Sequence, residues 1–157
     1  MTYFVFSDSH RYSENMLAVL KHQLPDELFF LGDGELDLLP VRKKYPDLPI
    51  HQVRGNCDIM SSAKETMIIK SGRKKIFACH GHTLGVKNSL DTLINTAFAA
   101  EVDVVLFGHT HIAYSGHTLA MDLLNPGAIG DCPDPTYGSI TIDGFDVKCE
   151  IIHMNLQ

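Results

Sequence analysis

Five apolar runs in this chain each end on a side chain that can hold a metal ion. "FVFSDSH" ends in Asp8 and His10, "LFFLGD" in Asp33, "HQVRGN" in Asn56, "IFACH" in His80, and "VVLFGHTH" in His109 and His111. The set contains two carboxylates, four imidazoles and one carboxamide. Three or four protein ligands suffice for one catalytic zinc ion, so seven such groups point to two cations. Nitrogen and oxygen donors without thiolate suit Mn²⁺, Fe, Zn²⁺, Ni²⁺ or Co²⁺, and affinity alone does not choose among them. Hydrolytic two-metal sites hold their ions roughly 3.5–4 Å apart, a spacing one shared carboxylate can span. Each motif alone is weak, and isolated histidines such as His22, His51, His117 and His153 read as surface or core residues. The ordered series is specific.

Such a set needs strands to carry it to one place. "TYFVFSD", "ELFFLGD", "PIHQVRGNCD" and "VDVVLFGH" read as strands entering loops. "SENMLAVLKHQL" carries Met16, Leu17, Leu20 and Leu24 at helical spacing before Pro25, and "LDLLPVRKKY" reads as a short helix. Leu90, Leu93, Ile94, Ala97 and Phe98 mark one apolar face of a third helix, with Asn88 as its expected cap. "TMIIKSGRKKIFACHG" reads as a hairpin turning at Ser71–Gly72, and "SITIDGFDVKCEII" as another turning at Asp143–Gly144. "AYSGHTLA" reads as a further strand, followed by the Gly- and Pro-rich loop "NPGAIGDCPDPTYG". Gly32, Gly55 and Gly108 directly precede three of the polar groups, where a sharp strand-to-loop turn needs them.

Strands alternating with helices early, then hairpins late, predict an α/β protein with mixed sheets. The favoured architecture is two sheets face to face with helices outside; a single doubly wound sheet is the alternative. Ligands in open α/β sheets bind at the carboxyl ends of strands, so the seven groups are expected to converge.

A length of 157 residues predicts one domain over 1–157. The net charge of −6 argues against nucleic acid as a stable partner and against an anionic membrane surface. No apolar run approaches the ~20 residues of a membrane span. The first residues lead into a strand-like run without a basic segment, so no signal peptide is expected. Cys57, Cys79, Cys132 and Cys149 form no Cys-x-x-Cys pair, which predicts a reduced, cytoplasmic setting.

From "FSDSH" through "FLGD", "VRGNCD", "CHGH" and "FGHTH" to "LLNPGA", the chain resembles the calcineurin-like metallophosphoesterase superfamily, above all its small single-domain phosphodiesterases. The resemblance implies a four-layer sandwich of two mixed β-sheets flanked by helices. It implies one metal held by Asp8, His10, Asp33 and His111, and a second held by Asp33, Asn56, His80 and His109, with Asp33 bridging. The implied function is hydrolysis of a small phosphate ester, most readily a diester, by a hydroxide bridging two divalent ions, with Mn²⁺ favoured. Asp33, Asn56 and His82 are the candidate catalytic groups, His82 as proton donor; Arg11 is a candidate substrate contact. Larger members place a histidine, used as general acid, where this chain has Cys57. The superfamily includes oligomers, so a homo-oligomer is an outcome the resemblance allows. Two other readings are a non-catalytic interaction scaffold like the retromer subunit Vps29, and a phosphomonoesterase or protein phosphatase. Retention of Asn56 and of both ends of Asp8-x-His10 favours an enzyme.

Overall fold

The first strand, β1 (Thr2–Phe6), buries four apolar residues in a row because both of its faces are covered. In the computed structural model, which describes residues 1–154, Tyr3 and Val5 enter one core cluster and Phe4 and Phe6 another. The same alternation runs through β2 (Glu27–Phe30), β5 (Lys74–Cys79) and β6 (Val104–Leu106). Ile76, Ala78, Val104 and Leu106 join Tyr3 and Val5, while Phe77, Cys79 and Val105 face a third cluster. Each continuous apolar run is thus two interleaved faces of a strand with period two.

The three clusters define four layers. Helices α1 (Glu14–His22) and α2 (Leu38–Lys44) cover the first sheet with Met16, Leu20, Leu38 and Val41. That sheet has the order β10-β9-β1-β2-β3, completed by β3 (Ile50–Gln52), β9 (Thr136–Asp143) and β10 (Asp146–His153). The second has the order β4-β5-β6-β8-β7, with β4 (Thr66–Ser71), β7 (Tyr114–Thr118) and β8 (Met121–Asn125). Helix α3 (Asp91–Ala99) covers its outer face with Leu93 and Ala97. Strands β1, β2 and β3 are mutually parallel, as are β5, β6 and β8, while β9, β10, β4 and β7 run antiparallel to their neighbours. This is the expected sandwich of two mixed sheets, not a single doubly wound sheet.

The structure corrects several local expectations. The first hairpin pairs Ser71 with Lys74, so its turn is Gly72–Arg73, one residue later than expected. The N-cap position of α3 is Leu90, not Asn88, and the nearest side-chain support is Ser89 one residue earlier, whose Oγ accepts from the Asp91 N–H at 3.0 Å. Phe98 is exposed because the inward stripe of α3 is narrower than the apolar pattern, and Leu24 is exposed because α1 ends at His22, before it. The segment "MDLLN", between an exposed edge strand and a Pro–Gly loop, is a strand the sequence pattern does not announce, β8, and it lies inside its sheet between β6 and β7. Pro40 sits within the first turn of α2, where its missing N–H does no harm. Among the described residues, no helix is long and apolar enough to cross a membrane.

Candidate metal centre

The parallel strands of both sheets end at one edge of the sandwich. Asp8 and His10 follow β1, Asp33 follows β2, Asn56 follows β3, His80 follows β5, and His109 and His111 follow β6. The chain must turn sharply to leave these strands. Asp8, His10, Asp33, His109 and His111 all have φ between 45° and 67°, in the left-handed region that side chains other than glycine avoid. Such residues each carry roughly 1–3 kcal/mol of strain and cluster at functional sites. Glycines make the crowding tolerable: a Cβ on Gly55 would collide with Asp33 Oδ1, and one on Gly108 would lie 3.0 Å from Asp8 Oδ2.

The seven side chains converge. Asp8, His10 and His111 each place a ligand atom within 4.8 Å of the others, and so do Asp33, His80 and His109. The His10 and His111 Nε2 atoms are 3.1 Å apart. His80 Nε2 lies 3.3 Å from Asp33 Oδ2, 3.2 Å from Asn56 Oδ1 and 3.2 Å from His109 Nδ1. Asp33 Oδ2 is also 3.9 Å from His10 Nε2, so this carboxylate lies between the two groups. His10, Asp33 and Cys57 form a third triplet, which brings a sulfur to a donor set expected to lack one.

Charge and hydrogen bonding in this cluster fit cations. Asp8 is buried; its Oδ2 accepts from Ser7 Oγ at 2.6 Å and from the His109 N–H at 3.1 Å. Its Oδ1 makes no hydrogen bond, although His111 Nε2 lies 3.1 Å away, His10 Nε2 3.7 Å and His80 Nε2 4.0 Å. A buried carboxylate oxygen left this way is costly, and a cation ringed by the same nitrogens would satisfy it. Burial pushes the Asp33 carboxyl up, but hydrogen bonds from His80 and from the Cys57 N–H at 2.7 Å outweigh it and hold Asp33 far below the usual carboxylate range. Burial lowers His80, yet the hydrogen bond to Asp33 and the charges of Asp8 and Asp33 raise it overall. A site that draws a proton onto a buried imidazole is short of positive charge. Burial and the neighbouring His80 lower His109.

The other expected contacts are nearby. His82 is half-buried, with its ring 5.4 Å from that of His80 and 6.1 Å from that of His109. Its Nδ1 is buried without a partner, and burial followed by the charge of His80 lowers its pKa. Arg11 is exposed in a groove beside His10. Cys57 is exposed; burial of its sulfur and the Asp33 carboxylate raise its thiol pKa.

Sequence reasoning missed the residues that hold the loops. Asp58 accepts four backbone N–H groups: Asp33 at 2.8 Å, Gly34 at 2.9 Å, Glu35 at 3.0 Å and Gly55 at 2.9 Å. Burial raises its carboxyl, and these four donors more than reverse the effect. Asn125, at the end of β8, donates to the Gly108 carbonyl at 3.0 Å and to Thr110 Oγ1 at 2.9 Å, fixing the loop of His109 and His111. Asp37 accepts from Ser9 Oγ at 2.6 Å and from the Arg11 N–H at 2.8 Å. The signal for Asp58 was a short acid beside Gly55 in "GNCD", and for Asn125 an asparagine opening a Pro–Gly turn. Neither signal identifies its partners without the fold.

Known proteins resemble this chain in sequence and fold. Residues 1–144 match the model of the calcineurin-like phosphoesterase superfamily domain. The chain is 36% identical over 135 residues to a probable metallophosphoesterase, YsnB, of Bacillus subtilis, a match covering 82% of this chain and 75% of the relative. Its fold matches that of a Streptococcus pneumoniae protein described as a predicted phosphoesterase, with a TM-score of 0.82 and 27% identity over 97% of this chain and 88% of that one. It also matches a single mutant of Vps29 from Entamoeba histolytica, with a TM-score of 0.73 and 26% identity over 99% of this chain and 100% of that one. With seven candidate ligands gathered at one strand edge and this family model spanning nearly the whole chain, the protein belongs to the calcineurin-like phosphoesterase superfamily, a family of metal-dependent phosphoesterases.

Proposed function

We propose that the protein is a phosphodiesterase with a dinuclear metal centre. Asp8, His10, Asp33 and His111 would hold one ion, and Asp33, Asn56, His80 and His109 the other, with Asp33 shared. The observation that carries this reading is the position of the Asp33 carboxylate, between His80 and His10 and so between the two ligand groups. When bound, two divalent ions, Mn²⁺ by preference, supply a hydroxide near neutral pH and neutralise charge on the phosphoryl oxygens.

The chain's own residues do the rest. Left-handed turns and the Asp58 and Asn125 clamps fix the donors before substrate arrives. His80 Nδ1 donates to Leu31, which keeps its Nε2 free for the cluster. His82 would pass a proton to the departing alkoxide. Arg11 would contact the ester. The substrate is a small phosphate ester, and no large partner is needed for the reaction.

The test is hydrolysis of bis(p-nitrophenyl) phosphate beside p-nitrophenyl phosphate with added Mn²⁺. Chelation should abolish turnover of the diester and Mn²⁺ restore it. Full activity in protein shown by elemental analysis to lack metal would overturn the reading; preference for the monoester would make the protein a phosphomonoesterase. The likeness to Vps29 favours a second reading, a non-catalytic interaction scaffold. Metal-loaded protein that turns over neither ester would support that alternative.

A further inference from the structure

A groove of about 590 Å³ runs away from His10, Asp33 and Cys57. Its lining includes Leu36 and Leu39, from the segment after Asp33, and Ile59 and Met60, from the segment after Cys57, and these residues are 76%, 62%, 80% and 96% exposed. Single exposed apolar side chains are ordinary, but four lining one cleft together with His10 and Asp33 of the reactive centre form a patch that needs an occupant. Both segments are preformed. Asp58 ties the backbone of Asp33, Gly34 and Glu35 on one side to its own loop on the other, and Asp37 anchors Ser9 and Arg11. The acids Glu35, Asp37 and Asp58 line the groove against the single cation Arg11, so a substrate with a second phosphate would meet repulsion there. A concave cleft that includes His10 and Asp33 in its lining fits a small organic group better than the flat face of a protein.

We propose that this groove is the subsite for a neutral, apolar ester group, so that the substrate is a phosphate ester of an aryl or long-chain alkyl alcohol and not a nucleic acid or other polyanion. The proposal rests on the phosphoesterase reading above. Its affinity comes from the removal of apolar surface from water on both partners.

Methylphosphonate and phenylphosphonate test it directly. They carry the same anionic head, differ in the organic group, and have no ester bond to hydrolyse. Calorimetric titration of the Mn²⁺-loaded chain should show phenylphosphonate binding about 10- to 100-fold more tightly, the range one or two apolar contacts give in such a pocket. The double variant Leu36→Ser, Met60→Ser should reduce that preference roughly tenfold. Phe98→Ser, an exposed apolar side chain on α3, should leave it intact. Equal affinities in the natural protein, or a preference unchanged in the double variant, would overturn the proposal. So would a sedimentation result in which the double variant dissociates a dimer while the phenyl preference persists, since the patch would then join two copies of the chain. Diester hydrolysis with equal binding of the two phosphonates removes the groove assignment alone. No binding of either phosphonate together with no hydrolysis removes the phosphoesterase reading and this inference with it.

Discussion

His80 Nδ1 donates to the backbone carbonyl of Leu31 at 2.8 Å while its Nε2 faces the Asp33 carboxylate at 3.3 Å. Leu31 sits at the end of β2 and His80 at the end of β5, so this bond joins the two sheets at the site. It also selects the tautomer that leaves Nε2 free to bind a cation. His80→Ala should weaken Mn²⁺ binding at one of two sites by at least about 100-fold and leave a buried carbonyl unpaired, costing about 1–3 kcal/mol. Calorimetric metal titration and denaturant unfolding check both effects; two undiminished sites would contradict the assignment.

Asp33→Asn and Asn56→Ala should differ in kind. The first removes the charge shared by both ligand groups and should impair both metal sites. The second should chiefly weaken the site formed with His80 and His109. Retention of two tight sites by Asp33→Asn in a metal titration would show that Asp33 does not bridge.

Asp58 is not itself a candidate ligand, yet its carboxylate ties the backbone of Asp33 to that of Gly55. Asp58→Ala should destabilise the fold by about 2–4 kcal/mol and lower turnover at saturating Mn²⁺. The sign with pH follows from its lowered pKa. The stabilisation is present above the unfolded value of 3.8 and is lost as pH falls through the lower folded value. Urea unfolding at pH 7 and pH 3 should therefore show a smaller penalty for the variant in acid. An equal penalty at both would mean that the charge of Asp58 is not what holds the loops.

Burial pushes the Cys79 and Cys149 thiols up to about 12, so at pH 8 only about one in 10⁴ is a thiolate. The native protein should show no more than two thiols, Cys57 and Cys132, reactive toward an aromatic disulfide reagent, and all four after unfolding. Four rapidly titrating thiols in the native state would contradict the packing described.

Burial and the charge of His80 lower His82, so its imidazolium is scarce at neutral pH and grows as pH falls. General acid assistance is typically worth ~10²–10⁴-fold. His82→Ala should slow alkyl diesters strongly, more at pH 6 than at pH 8, and p-nitrophenyl diesters little. A leaving-group series at saturating Mn²⁺ reads this out. Equal losses across the series would leave His82 a binding or structural residue.

The sequence alone marked every strand but β8, favoured two face-to-face sheets over one doubly wound sheet, and pointed to a shared site for Asp8, His10, Asp33, Asn56, His80, His109 and His111. The physical reason is local: a strand buried on both faces must be continuously apolar, and a polar residue that ends it must leave the core at that edge. The missed strand β8 shows the limit of that logic. "MDLLN" is too short to be told from a loop until β6 pairs with it in parallel. Only the tertiary structure decided that Asp58 clamps two loops, that Asn125 holds the His109 turn, and that Leu36 and Leu39 line one groove with Ile59 and Met60. These relationships join residues distant in sequence by hydrogen bonds and contacts that no periodicity encodes. They depend on where the strand ends come to rest after the sheets have packed.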